Sequence, residues 1–361
     1  MGEWQAFFGG AIEMPEWTYE LVNQSSNQLI NQSNKMHIVI AHDSVLPALK
    51  YGGTERVVWW LAKALNSMGH KISLMAKAGT TCPFADVIIM NNEPEKQIPE
   101  SADLIHFFGG IDTRKLSKPY IYTMEGNTYD FAEMDLNRVF VSKAHAALYG
   151  SDVYVYNGLD PDDYGDPMLN NKRSYCHFLG MASWKVKNIK GAISVSKKAG
   201  VPLQVMGGNR ISFSKPIRFT LSPSIKFKGM IGGEEKNEVM RRSKALLFPV
   251  LWSEPFGIAI TESLYFGCPV LGTPYGSLPE LVGADVGFLS ASASELADAL
   301  KNVNQFSSRR CNEYVMDTHT HIHMANTYLG LYKRVLNGEM LHKTPPKFTK
   351  EAAAAAYPFE W

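Results

Sequence analysis

The 361-residue sequence predicts an α/β protein made of two doubly wound parallel sheets facing each other across a cleft. Three observations predict it. Short apolar runs alternate with helical patterns from residue 36 onward. A Gly52-Gly53 loop separates the first apolar run from the first helical pattern. A second series of the same kind begins after the turn Asn157-Gly158-Leu159-Asp160.

In the first series the pattern reads as a strand over 37–41, a helix over 55–68 ended by Gly69, and a strand over 71–76. Further short strands follow at 87–90, 104–107, 120–123 and 139–141, each apolar enough for a sheet covered on both faces. The second series has strands at 176–179, 203–206, 225–228, 245–249 and 270–272, with helices between them. The chain divides into an N-terminal extension over 1–35, expected to be disordered, a first domain over 36–158 and a second over 159–320. A C-terminal helix over 321–342 is expected to cross back to the first domain, and 343–361 reads as a tail with one helical turn in the alanine run 352–356.

Composition narrows the function classes. With 45% hydrophobic and 20% charged residues the chain is globular, and a formal charge of +1 gives no field that would gather nucleic acid. Cys82, Cys176, Cys268 and Cys311 stand far apart without a CxxC spacing, which argues against a zinc ribbon or a disulfide framework and for a reducing compartment. No apolar run approaches the roughly 18 to 20 residues that span a bilayer. The start Met1-Gly2-Glu3 lacks the basic residues of a secretory leader. A cytoplasmic protein is expected, with peripheral membrane contact left open by the small basic cluster Arg114, Lys115 and Lys118.

The chemistry concentrates in Ser253-Glu254-Pro255-Phe256-Gly257-Ile258-Ala259-Ile260-Thr261-Glu262. A Pro/Gly turn there opens into a helix, whose free amides and dipole favour a negatively charged ligand such as a diphosphate. Glu254 sits in the turn and Glu262 lies on the helix, so both can face one cleft and accept hydrogen bonds from hydroxyls. Taken alone, two such glutamates are more often solvated first-turn acids; the Pro-Phe-Gly turn and the buried positions Ile260, Leu264 and Phe266 favour the ligand reading.

Four signatures in order resemble one family. They are Gly52-Gly53-Thr54-Glu55-Arg56-Val57-Val58, Val141-Ser142-Lys143 ahead of Asn157-Gly158-Leu159-Asp160, the Glu254 to Glu262 motif, and Gly267-Cys268-Pro269-Val270 leading to Leu278-Pro279-Glu280-Leu281. Together they resemble the retaining glycosyltransferases of the GT-B fold, family 4 and group 1 type. The resemblance implies two Rossmann-like domains, acceptor-side first and nucleotide-sugar-binding second. It implies that Glu262 holds the donor ribose, that Glu254 meets the hydroxyls of the donor sugar, and that amides at Phe256, Gly257 and Ile258 lie near the sugar and diphosphate, with Gly52 and Gly53 facing them.

Two positions depart from that family's pattern. Where it often has a histidine beside the reacting sugar, this chain has Glu125 in Thr123-Met124-Glu125-Gly126. Where it tends to have an arginine, this chain has Met181, followed by Lys185 and Lys187, either of which can supply a point charge to the leaving diphosphate. His106 reads as a packed histidine behind the cleft. His319, His321 and His323 read as a helix on which only His319 and His323 share a face, so no metal site is expected.

The expected function is transfer of a sugar from a nucleoside diphosphate-sugar to an acceptor hydroxyl, on a glycan, a lipid-linked glycan or a small molecule, with retention. Glu125, Lys185, Lys187 and Glu254 are the candidate catalytic residues, and no cofactor or metal is expected besides the donor. The alternative is a GT-B-shaped protein that binds a sugar nucleotide without turnover.

Overall fold

A computed structural model describes residues 35–48, 52–212, 218–349 and 357–361. The extension expected over 1–35 lies outside them save for its last residue, as does the helical turn expected over 352–356.

The first sheet contains β1 (His37–Ala41), β2 (Lys71–Ala76), β3 (Asp86–Ile89), β4 (Leu104–Phe107), β5 (Tyr120–Met124) and β6 (Arg138–Phe140), all parallel, in the order β3-β2-β1-β4-β5-β6. Helix α1 (Gly53–Ser67) joins β1 to β2, burying Val57, Val58, Trp60, Leu61, Ala64 and Leu65 on one stripe. The short α2 (Lys143–Ala147) follows β6, capped by Ser142.

The second sheet repeats the plan. It holds β7 (Tyr175–Leu179), β8 (Leu203–Met206), β11 (Ile225–Phe227), β12 (Ser243–Phe248), β13 (Val270–Gly272) and β14 (Gly287–Leu289), parallel and ordered β11-β8-β7-β12-β13-β14. A small antiparallel pair, β9 (Ile211–Ser212) with β10 (Arg218–Phe219), lies between β8 and β11 in sequence. The helices are α3 (Ile189–Ala199), α4 (Gly233–Arg241), α5 (Ile258–Tyr265), α6 (Leu278–Leu281), α7 (Ala293–Lys301), α8 (Ser308–Thr318) and α9 (His321–Leu336). Helices α3 and α7 cover one face, where Ala192, Val195, Leu296 and Leu300 pack on Cys176, Phe178, Val205 and Leu247, and α5 packs on β12 and β13.

The first sheet is covered differently. Its β3–β4 and β4–β5 crossovers contain 3₁₀ turns at Pro94–Gln97 and Thr113–Lys115 instead of helices. Ile98, Ile111 and Leu116 from these loops close one face over Val39, Ile105 and Phe107. On the other face α9 packs against α1 and β5. There Tyr332 meets His106 Nδ1 at 2.7 Å, and Thr123 Oγ1 joins His106 Nε2 and the Tyr328 hydroxyl at 2.8 Å each.

The helix expected to run through His319 is broken at that point. Helix α8 ends at Thr318, and Thr320 caps α9, so His319 is not on a face with His323. Leu159 causes the break by donating to the His319 carbonyl and accepting from the His321 amide, which ties this corner to the segment joining the two sheets.

In each sheet the strand order reverses beside the first strand, between β1 and β4 and between β7 and β12. A crevice at such a switch point is where doubly wound sheets take their ligands. The loops after β1, β7 and β12 all open there, and they carry Gly53, Lys187 and Glu254. No helix among the described residues is long and apolar enough to cross a membrane.

Candidate active site

The motif after β12 is held in shape by glycines. Gly257 caps α5 at φ 82°, where a β-carbon would approach Ile260 Cδ1 to 3.1 Å and Glu254 Cγ to 3.2 Å. Gly276 lies so close that a β-carbon would sit 2.1 Å from the Glu254 amide nitrogen. The Ser277 amide then donates to the Glu254 carbonyl at 2.9 Å and its hydroxyl to the Phe256 carbonyl at 2.7 Å. The first sheet grips the same loop: Asn127 Nδ2 donates to the Ser253 carbonyl at 2.7 Å and the Ser142 hydroxyl to that of Pro255 at 2.5 Å. With no side-chain cap on α5, its opening amides face the crevice with the positive end of the helix dipole behind them.

That crevice is a cavity of about 410 Å³ between the two sheets. Gly53, Arg56, Glu125 and Asn127 line it from the first sheet side. From the second come Lys187, Trp252, Glu254, Lys236 and Glu262, with Phe256, Gly257 and Ile258 at the helix start. Two expected residues fall elsewhere. Lys185 is exposed on the 3₁₀ turn Lys185–Lys187 and does not line the cavity, whereas Lys187, two residues on, points in. Gly52 is not on the wall; its carbonyl accepts from Arg56 Nε at 3.3 Å and so helps to aim that side chain.

The charges form two buried groups. Lys187 Nζ lies 2.8 and 2.7 Å from the two oxygens of Glu254, and Trp252 Nε1 donates to Oε2 at 2.7 Å. Glu254 is thus oriented by an indole and an ammonium. Glu262, 1% exposed, accepts on Oε1 from Arg56, from Lys236 and, at 2.8 Å, from the Tyr164 hydroxyl. Burial opposes the charge on Glu262, but Arg56 and Lys236 overcome it and hold its carboxyl at about 2. Burial lowers Lys236 from its ordinary value despite the carboxylate beside it. Two cations, Arg56 and Lys236, thus share one carboxylate, with Asp163 as a further acid acting on both.

Glu125 follows the last residue of β5 and, among the described residues, has no cation acting on it. Burial pushes its carboxyl up to about 7, while a 2.7 Å hydrogen bond from Asn157 Nδ2 acts in the other direction. Its Oε1 and the side-chain oxygens of Asn127 and Asn157 are buried without a hydrogen-bond partner among the described residues. His106 stands behind this strand end, bonded to Tyr332 and Thr123 and not lining the cavity, and burial lowers it to about 3, so it is neutral.

Sequence reasoning assigned no part to Arg56, Tyr164, Lys236 or Trp252. Lys236 sits in Glu234-Glu235-Lys236-Asn237-Glu238, which reads as a solvated helix start; the available signal was its spacing of three and four from buried Val239 and Met240. Arg56 stands one helical turn before buried Trp60, but nothing local shows that this edge of α1 meets the second sheet. Among the described residues no cluster of three or more His, Cys, Asp or Glu side chains could hold a metal ion.

Residues 168–314 match the family model described as glycosyl transferases group 1. No curated protein sequence matches the chain. Among solved structures, a glycosyltransferase involved in avilamycin A biosynthesis superposes with a TM-score of 0.68 at 20% identity, covering 84% of this chain and 99% of that one. The sucrose-phosphate synthase of Thermosynechococcus elongatus gives 0.64 at 16% identity, over 84% of this chain and 100% of that one. HepE of Anabaena, in complex with UDP-glucose, gives 0.58 at 15% identity, over 82% and 100%. The two six-stranded sheets and the crevice between them are the GT-B fold of these glycosyltransferases, and the part of the chain that carries the Glu254 to Glu262 motif matches the group 1 model.

Proposed function

We propose that the protein is a retaining glycosyltransferase that moves a sugar from a nucleoside diphosphate-sugar to an acceptor hydroxyl. The observation that carries this reading is the convergence of Glu254, Glu262, Lys187 and the start of α5 on one cavity between two doubly wound sheets. Glu262 takes the ribose hydroxyls. Glu254, oriented by Lys187 and Trp252, faces the hydroxyls of the donor sugar. The diphosphate lies against Lys187, the amides at Phe256 to Ile258 and the backbone of Gly53, which together stabilise the charge that develops as it leaves.

Glu125 lies on the first sheet's side of the same cavity. Protonated, it donates a hydrogen bond to the sugar; ionised, it stabilises an oxocarbenium-like transition state. The acceptor approaches the face from which the diphosphate departs, and the leaving phosphate takes the acceptor's proton, so no protein base or metal is assigned. Loops of the first sheet receive the acceptor, a glycan, a lipid-linked glycan or a small molecule. Four cysteines, none of them in a disulfide, fit a reducing compartment.

Two fold neighbours carry UDP-glucose and ADP with acarbose, so UDP- and ADP-sugars head a donor panel that also includes GDP-sugars. Release of nucleoside diphosphate and the anomeric configuration of the product would be measured with and without chelator. Turnover of one donor that survives chelation and gives the donor's anomer is expected. A donor that binds but is not cleaved with any acceptor supports the binding-protein alternative, and an inverted product refutes retention.

A further inference from the structure

Helix α1 presents Arg56, Trp60 and Lys63, at spacings of four and three, on one edge. Lys63 pairs with Asp160 at 2.5 Å and Trp60 Nε1 donates to Asp163 Oδ2 at 2.5 Å, so two of the three engage the segment that joins the sheets. The third goes further. Arg56 donates to the Tyr164 hydroxyl at 3.2 Å and also to Glu262 Oε1, on α5 of the second sheet. Its guanidinium lies 5.5 Å from the centre of the Trp60 ring, and its Nε is held by the Gly52 carbonyl. Arg56 is therefore fixed at its base by its own lobe while its tip completes a buried group on the other.

The tip is placed with economy. Three donors, from Arg56, Lys236 and Tyr164, meet on Oε1 of Glu262, and none of these bonds uses Oε2. A carboxylate clamped through one oxygen keeps its plane and offers the other to a ligand hydroxyl. Lys236 belongs to the second lobe, and Tyr164, in the joining segment, has its carbonyl held by Asn237 and Arg241 of that lobe. Arg56 is the member of this group carried by the first lobe.

We propose that Arg56 is a positioning residue for nucleotide binding: it reaches from the first lobe to orient Glu262 for the ribose, so that affinity for the nucleotide depends on the lobes being closed. This rests on the reading above that Glu262 holds the ribose.

The test is calorimetric titration of the full chain with UDP, ADP and GDP, using the nucleotide that binds, across four variants whose folding is checked by thermal unfolding. Arg56→Ala is expected to weaken binding at least tenfold and Arg56→Lys to recover most of the loss, because a lysine there still reaches across. Lys63→Gln removes two ion pairs, to Asp160 and Asp162, from the same helix edge and is expected to stay within twofold. Glu262→Ala is expected to lose binding altogether. If Arg56→Ala binds as the wild type while Glu262→Ala does not, the inference fails and the ribose reading stands. Should Glu262→Ala bind normally, the ribose reading fails and takes the inference with it. A loss in Lys63→Gln equal to that in Arg56→Ala, or an Arg56→Ala chain that is unfolded when Arg56→Lys binds no better than tenfold below wild type, assigns Arg56 to lobe packing and overturns the proposal.

Discussion

The two sheets share one strand order but contribute to the cavity in different ways. The second supplies Glu254, the start of α5 and Glu262 from nine consecutive residues, with Lys187 and Lys236 added from neighbouring elements. The first supplies Gly53, Arg56, Glu125 and Asn127 from the first turn of α1 and from the residues just after β5. The match to the group 1 model falls at 168–314, within the compactly encoded half. An anion seat needs a helix start with a turn of fixed shape, which is local in sequence, whereas a surface that closes over it can be assembled from scattered side chains.

Substitutions in the second lobe are expected to show the largest effects. Glu262→Ala removes the carboxylate between Arg56 and Lys236 and leaves two buried cations facing each other; a loss of a hundredfold or more in kcat/KM is expected, on the order of 3 kcal/mol, together with a lower unfolding temperature. Lys187→Ala withdraws the charge assigned to the leaving diphosphate and is expected to lower kcat about a hundredfold, by analogy with loss of one donor at a developing anion. Gly257→Ala forces a side chain into φ 82° against Ile260 and Glu254; it should destabilise by about 1 to 2 kcal/mol and weaken nucleotide binding.

On the first lobe the effects are expected to be smaller and to depend on pH. Glu125→Gln keeps the shape and the neutral form, so about a tenfold loss in kcat is expected above pH 7 and little below it. Because burial raises the Glu125 carboxyl to about 7 in the folded chain, folding favours its protonated form. Its contribution to stability is complete below about 4.5 and is lost as pH rises through 7. Relative to wild type, Glu125→Gln should therefore gain unfolding temperature above pH 7 and not below 4.5. Lys185→Ala, on the exposed turn, is expected to leave kcat/KM within twofold; a large loss there would move the point charge from Lys187 to its neighbour.

The same contrast governs how much could be read from the sequence. Strands β4, β8 and β13 stand at the predicted residues because short apolar runs bounded by turns mark buried parallel strands. Strand β14, at Gly287-Phe288-Leu289, has half-exposed residues and lies at the sheet edge, so no apolar run announces it. In the first sheet the β3–β4 and β4–β5 crossovers hold 3₁₀ turns, beside which partly buried residues such as Ile98 and Leu116 pack on the sheet, and no helical period marks them. Within the cavity the nine-residue motif was legible because proline, glycine and two acids sit within one turn and one helix. Arg56, Tyr164 and Lys236 were not, since each acquires its role through contacts with residues 26 to 206 positions away. His319 was misplaced for the same reason, as the bonds from Leu159 that interrupt the helix come from across the chain.

Amide hydrogen exchange with and without a nucleoside diphosphate-sugar tests most directly whether the two lobes share one donor site. Slower exchange is expected together at the start of α5 over Ile258–Tyr265, in α4 over Gly233–Arg241 and in the first turn of α1 within Gly53–Ser67. Protection confined to α4 and α5, with α1 unchanged at saturating ligand, would contradict a site built from both sheets.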